Sequence, residues 1–539
     1  MIFWLALSFP VFAGLSLDAQ SLLSGNADDE VLDAVADSAG NLYVTGWTSS
    51  TSIGGQVVTI RGSRDVFVAK FDASGALRAL QVFGGGDLTS TATDGNEQGT
   101  AIAIGPQGDI FVTGAVLGLN KSNGKGLPAA IVDQGCRTLS TTDAFLLVLQ
   151  SDLTPSYFTC FGDLSVVTRG EDISHGVAVD GQGNVFLAGT TIIDAQGGFP
   201  TTSGSYATAS ANQGKSRDGF VLKLSDPMAF QSSGLTATVA GGGIIYSTLL
   251  SGGANDEILG LAIDAQGQAY VTGWTISPDF PTTVSPIGPT SAGSKTDAFF
   301  ARFSADGSQL TLSGLIGGDN SDQGNAIALD ATTGDIYVTG DTLSTDLGST
   351  PPGGRDAFVA RTFIDGTKSY LTYLGTAGDD RGLGIVVDQG VAVVAGVAGA
   401  DGLSSPLVGF TYKGGADGFV VRLQTDGSIA ESAYIGGTTD DQANSIRLDS
   451  SGGFVVSWHT ATATTGQDGF VLHLTHTSPS TGGGNTGGGG DPIQVFDGPV
   501  PTTTSVPTTT SSGGGGGGSL FWPLWIVFGL RRFKARARD

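Results

Sequence analysis

Leu15-Ser-Leu-Asp-Ala-Gln-Ser-Leu-Leu-Ser-Gly25 lies near the start of the chain, far from the segments it matches. Its near copy is Ile244-Ile-Tyr-Ser-Thr-Leu-Leu-Ser-Gly-Gly253. The match runs on, with Asn26-Ala-Asp-Asp-Glu-Val-Leu32 against Ala254-Asn-Asp-Glu-Ile-Leu259. The downstream copy has a fixed place: it closes a unit of four short apolar runs. The N-terminal copy has no such unit before it. A strand at the wrong end of the chain therefore needs a partner at the other end.

Self-similarity supplies the rest of the argument. Seven segments carry a strand of the type Asn-x-Tyr-Val-Thr-Gly: Asn41–Gly46, Gly108–Gly114, Asn184–Gly189, Gln268–Gly273, Asp335–Gly340, Val391–Gly396 and the degenerate Gly453–Trp458. Each follows a shorter apolar run. Each is followed, after a variable loop, by Asp-x-Phe opening a third strand. The pairs are Asp65/Phe67, Asp143/Phe145, Asp218/Phe220, Asp297/Phe299, Asp356/Phe358, Asp417/Phe419 and Asp468/Phe470. A fourth strand follows at 75–86, 153–162, 243–253, 307–318, 367–375 and 427–437, which makes six copies. The seventh is the N-terminal stretch. Open sheet edges invite aggregation, and a ring of blades leaves only short protected ones. A linear chain seals such a ring when its first strand completes the last sheet. The sequence therefore predicts an all-β fold, a seven-bladed propeller of four-stranded blades. A β-solenoid, which would want distinct caps at its ends, is the alternative.

The units resemble the bacterial seven-bladed propeller (SBBP) repeat family over about residues 15–475. The matching pieces are the Asp-containing Gly-Gly loop, Gly-Asn-x-Tyr-Val-Thr-Gly, and Asp-Ala-Phe-Val with its basic residue. The sixth and seventh units depart, with Val391-Ala-Val-Val-Ala-Gly and Phe454-Val-Val-Ser-Trp-His. The resemblance implies an extracellular scaffold and no particular chemistry.

The two faces of such a ring differ. One receives tight turns, Asp37-Ser-Ala-Gly-Asn41, Asp72-Ala-Ser-Gly75 and Asp264-Ala-Gln-Gly267, where Gly takes positive φ and Asp bonds its own turn. The other receives long variable loops, 115–142 and 190–217, and acidic loops. Binding commonly lives on variable loops held by a rigid scaffold. Trp47, Trp274, Asp28, Asp256, Asp322, Asp380 and Asp441 are the candidate binding residues there, for a protein or glycan partner. An acidic ring could hold cations, calcium included, although no EF-hand loop is present. The competing expectation is structural: Asp side chains cap turns and pair with Lys70, Lys223, Arg302, Arg361 and Arg422. The seven Phe are read as packing between blades. His175 and His459 are isolated, and no metal-binding His pair or nucleophile elbow occurs, so no catalytic residue, metal or cofactor is assigned. A disulfide between Cys136 and Cys160 is expected to pin the longest loop to its own blade. A structural surface or matrix component without a specific ligand, and an exported hydrolase with a cryptic site, are the alternative functions.

Composition excludes several classes. The 539 residues include 87 Gly, and 25 basic residues face 50 acidic ones, a net charge of −25. So acidic a surface repels phosphate, which argues against nucleic-acid binding. Two Cys and four His leave little room for a zinc or iron–sulfur framework.

The ends read as addresses. Residues 1–13 are apolar and close on Val11-Phe12-Ala13, which suits a signal peptide, although a basic start is lacking. Residues 476–518 form a Gly/Ser/Thr/Pro-rich spacer expected to be disordered. Residues 519–539 carry a short apolar segment and a basic cluster. As a helix, residues 519–530 would span only about 18 Å of a bilayer core of about 30 Å. This order resembles the Gly-Gly C-terminal sorting signal of Gram-negative bacteria, with Gly518 and Ser519 before the segment and Arg531 and Arg532 after it. The resemblance implies transient inner-membrane insertion, cleavage by a rhombosortase-like protease, type II secretion and a cell-surface or extracellular destination.

Overall fold

The computed structural model describes residues 14–60, 62–84, 97–117, 142–162, 171–192, 199–211, 216–225, 227, 243–290, 293–348, 351–404, 407, 410–462 and 466–477; at 14–22, 462, 466 and 475–477 it describes backbone only. Cys136, the signals at both ends and most of the loop at 115–142 lie outside these residues. Seven antiparallel four-stranded sheets are present, and their inner strands neighbour one another around a closed ring. The first blade comprises Asp29–Ala36, Leu42–Thr48, Asp65–Phe71 and Leu77–Phe83. The following five repeat this order in sequence.

The seventh blade holds Asp441–Leu448, Phe454–Thr462 and Gly466–Thr477, and takes Gly14–Leu23 as its outer strand. The register runs antiparallel from Gly14↔Thr477 to Leu23↔Gly469. The misplaced strand thus closes the ring, as its sequence requires.

Burial follows position in the blade. The third strand is covered on both faces, with only Lys70 half-exposed in Asp65–Phe71. Its continuous apolar run fits that setting. The outer strand Leu77–Phe83 is largely half-exposed. Six of the seven Asp-x-Phe rings are fully buried: Phe67, Phe145, Phe220, Phe299, Phe358 and Phe419. They pack between neighbouring blades. Phe145 meets Phe83 of the first blade at 5.8 Å, edge to face, and Phe158 of its own at 5.7 Å. Phe470 is partly buried and stacks on Trp458 at 4.5 Å.

Every inner strand carries one bulge against the second strand, at Leu32, Thr100, His175, Leu259, Asn325, Leu383 and Asn444. An extra residue steepens the local twist, which a blade needs to rise from the ring axis. The bulge also explains the Gly that ends Val-Thr-Gly. A Cβ on Gly46 would lie 1.8 Å from the Glu30 carbonyl oxygen, and one on Gly273 1.8 Å from that of Glu257. Three bulged side chains link blades, because each donates to a backbone carbonyl of the next inner strand. Thr100 reaches Ser174 at 2.6 Å, Asn325 reaches Gly382 at 2.9 Å and Asn444 reaches Val31 at 2.7 Å.

Candidate binding face at the mouth of the ring

An acid opens the innermost run of each blade: Asp29, Glu97, Asp172, Asp256, Asp322, Asp380 and Asp441. All seven are buried. So are the Asp residues that open the third strands. In the first blade the register sets Asp29, Thr48 and Asp65 side by side across three strands. The inner carboxylates collect donors from the loops around them. Asp256 accepts the Gly252 amide at 2.7 Å and the Ser277 hydroxyl at 2.9 Å. Asp322 accepts the Gly318 amide at 2.9 Å, the Ser344 hydroxyl at 2.8 Å and the Thr342 hydroxyl. Asp29 takes Thr48 and Ser50, and Asp441 takes the Gly437 amide at 2.7 Å.

At the blade seams these inner acids meet a third-strand Asp of the preceding blade. A Cβ on Gly436 would lie 2.5 Å from Asp417 Oδ1 and 2.7 Å from Asp441 Oδ2, so a bare Cα separates the two carboxylates. Gly162 holds the same place between Asp143 and Asp172. Burial, with the neighbouring carboxylate adding to it, pushes Asp29 and Asp441 up to about 7 and Asp256 up to about 6, against donors that pull the other way.

This placement bears on the expected acidic ring. Asp256, Asp322, Asp380 and Asp441 lie beneath the loops with donors already in place, and are not presented to solvent. Only Asp28 of the five is exposed, and its carboxylate caps the Gln467 amide at 3.1 Å. These acids do not pair with the basic third-strand residues, which sit five positions on, toward the tight turns. There Arg361 pairs with Asp335 at 2.6 Å and Lys223 lies 3.9 Å from Asp180, and four of the five basic residues lie over the aromatic ring near the start of the second strand. Lys70 lies 5.0 Å from Tyr43, Lys223 4.6 Å from Phe186, Arg302 5.8 Å from Tyr270 and Arg361 5.4 Å from Tyr337. The cation–π contact follows from register, since each pair is directly opposite across the strands. Among the described residues no three His, Cys, Asp or Glu side chains converge as a metal site.

Where described, the connections between second and third strands of three blades hydrogen-bond along the outer strands. Thr202 donates to Ser247 and Leu249 to Ala207 on the outer strand of the third blade, at 3.0 and 3.1 Å. Ile287 donates to Leu315 at 2.8 Å on the fourth, and Leu407 to Ser432 at 2.7 Å on the sixth. The unpaired amides and carbonyls of an edge strand attract them, and the edge is thereby blunted.

What remains at the mouth is a set of side chains just past the repeat Gly, and it differs from blade to blade. The seventh and first blades concentrate it. Trp47 Nε1 donates to Glu30 at 2.9 Å, and the Arg64 guanidinium covers the indole at 4.7 Å. His459 Nδ1 lies 3.2 Å from Glu30 and 3.1 Å from Asn444. Gln442 bridges Asn444, at 2.6 Å, and Arg381, at 3.1 Å. Burial lowers the His459 pKa, against the pull of Glu30 and with Arg381 adding to the fall. Across the ring Arg217 pairs with Glu257 at 2.5 Å, and Arg355 pairs with Asp341. His175, half-buried at its bulge, is lowered to about 4 by desolvation and by Arg217.

Trp47 is therefore covered, whereas Trp274 is half-exposed. Arg64, Arg381, Gln442 and Asn444 were not singled out from sequence, and Glu30 only as part of an acidic loop. For Glu30, Arg381 and Gln442 the signal was the cross-strand partner of the position after the repeat Gly; Asn444 is the bulge residue and Arg64 precedes the third strand. Cys160 is disulfide-bonded. The chain has one other cysteine, Cys136.

The geometry defines a seven-bladed β-propeller repeat protein. Residues 157–194 match the SBBP beta-propeller repeat family. The chain is 26% identical over 413 residues to Regulatory protein FlaEY of Caulobacter vibrioides, a match that covers 73% of this chain and 38% of that protein. The chain thus spans well under half the length of this relative. Among solved structures it is similar to a protein of unknown function from Dyadobacter fermentans (9% identity, 86% of this chain, 99% of that one, TM-score 0.37) and to the phage phi92 endosialidase (11%, 93%, 77%, TM-score 0.37).

Proposed function

We propose that the protein is an exported binding scaffold that holds a protein or glycan partner at the mouth of the ring, on the side of the seventh and first blades. The observation that carries this reading is the break in symmetry. Fold-determining positions repeat around the ring, yet Glu30, Trp47, Arg64, Arg381, Gln442, Asn444 and His459 form one linked polar cluster across the sixth, seventh and first blades, larger than the Gln323–Asn325–Asp341–Arg355 set at the same positions of the fifth. Arg64 over Trp47 offers a cation and a ring edge, and the Glu30–His459 pair an acceptor beside them. The regulatory name of the Caulobacter relative suits a protein that works by contact. Export rests on the sequence of the two ends.

The test is capture of partners by the full-length protein from the producing organism's envelope, alongside a glycan array. An Arg64→Glu/Arg381→Glu variant should lose the captured partner while keeping its melting temperature. Equal capture by both proteins would remove the cluster from consideration. The intact mass of surface-derived protein should lack residues 1–13 and the tail beyond about Gly518. Retention of Leu520–Asp539 would mean a permanent anchor.

A further inference from the structure

On the reading that the mouth cluster is the binding face, the donors and acceptors it leaves open define the group it holds. Arg64, Arg217 and Arg355 share one repeat position, immediately before the Asp of Asp-x-Phe. Two of them are neutralised. Arg217 pairs with Glu257 of the next inner strand at 2.5 Å and with Glu171 at 3.1 Å. Arg355 pairs with Asp341, which follows the repeat Gly of its own blade. Around Arg64 both of those acid positions hold uncharged side chains. Gln98 stands on the next inner strand where Glu257 does, and Trp47 stands after the repeat Gly where Asp341 does. Arg64 lies over the Trp47 ring at 4.7 Å, and among the described residues its guanidinium forms no ion pair or hydrogen bond; its Nε is buried without a partner. Arg381 occupies the Glu257 position on the sixth inner strand, opposite Val397. It is exposed, and its hydrogen-bond partner is the Gln442 side-chain oxygen at 3.1 Å.

The other members of the cluster are engaged with one another. Glu30 Oε2 takes the Trp47 N–H at 2.9 Å, and Oε1 faces Asn444 Nδ2 at 3.3 Å and His459 Nδ1 at 3.2 Å. Gln442 donates to Asn444 Oδ1 at 2.6 Å, and Asn444 to the Val31 carbonyl at 2.7 Å. Burial keeps His459 uncharged at neutral pH. The cluster therefore carries one net positive charge, in a chain of net charge −25. Its unspent capacity lies in two guanidiniums, whose planar forks match a carboxylate. The loops of the same blades expose Asp28 and Asp440, which cap the Gln467 and Ala416 amides at 3.1 and 2.9 Å. An acidic surround repels a polyanion and draws in a positive partner. A lone carboxylate on an otherwise basic chain satisfies both conditions.

We infer that the group anchored at this mouth is a carboxylate, carried by a polypeptide of positive net charge, with the Arg64 and Arg381 guanidiniums as its donors.

The test uses the full-length protein and a panel of labelled lysine-containing peptides in matched pairs. Each peptide is made once with a single glutamate and once with glutamine in its place. Fluorescence polarisation should show the acid members binding about ten-fold more tightly than their amide partners. Arg381 is exposed, so Arg381→Gln tests one donor without disturbing the core, and it should remove part of that preference. Arg64→Gln/Arg381→Gln should abolish it, with an unchanged melting temperature and unchanged binding of the amide peptides. Oligogalacturonate, an acidic glycan, is the third probe and should bind more weakly than the acid peptides; tighter binding than every one of them overturns the polypeptide assignment. Equal binding of acid and amide members by wild type overturns the inference, as does a preference that survives in folded Arg64→Gln/Arg381→Gln. If the Arg64→Glu/Arg381→Glu variant loses its captured partner while wild type shows no acid preference, the mouth stands as the binding face and the carboxylate alone is struck out.

Discussion

Asp441→Asn should flatten the fall in stability between acid and alkaline solution. The Asp441 carboxyl is 1% exposed, accepts the Gly437 amide and faces Asp417 across the bare Cα of Gly436. Burial first, then Asp417 and Asp440, raises its pKa from 3.8 to about 7. A carboxyl that protonates more readily in the folded state stabilises the fold while it holds its proton. That contribution is complete below pH 3.8, where both states are protonated. It is lost as the pH rises through about 7. Three decades of proton affinity correspond to about 4 kcal/mol. Asparagine has the same shape and no charge. Its oxygen can accept from Gly437 and its amide can donate to Asp417. The variant should therefore be more stable than wild type at pH 8, by up to about 4 kcal/mol, and no more stable at pH 5. Asp29, raised to about 7, and Asp256 and Asp322, each raised to about 6, give wild type a further slope of the same sign. Urea unfolding at fixed ionic strength between pH 5 and 8 measures both curves. Parallel curves for variant and wild type would refute the carboxylate-pair reasoning.

Deleting residues 14–23 should expose the edge of Gly466–Thr477 and cause aggregation or a large fall in melting temperature, and placing that segment after Thr477 as a circular permutant should restore both. Gly436→Ala sets a methyl between two carboxylates and should cost about 2–4 kcal/mol by urea unfolding. Phe145→Ala empties a site shared by two blades and should cost about 3–5 kcal/mol, read in the same assay.

The ring was legible because its determinants repeat. One Phe at Asp+2 says little, but seven at the same place in a unit identify a seam. The N-terminal strand was legible for the opposite reason, as a repeat element out of order. The bulge was not read directly, although its trace was the Gly of Val-Thr-Gly, which only the carbonyl of the inner strand explains. An exposed acidic ring and a set of turn caps stood as competing expectations, because recurrence in an Asp-rich loop does not distinguish a solvated carboxylate from one buried against Gly amides. Burial depends on the next blade, whose approach no local pattern describes. The basic residues illustrate the same limit. Asp65 and Lys70 are five residues apart on one strand, so they lie at opposite ends of it. The direct cross-strand partner of Lys70 is Tyr43.

The pairing of Gly14 with Thr477 places the two ends of the ring side by side, where the third strands run out at the tight turns. Any chain that continues past Thr477 must leave from that side. A partner at the Trp47–His459 mouth would therefore meet a face from which neither end of the ring's chain departs.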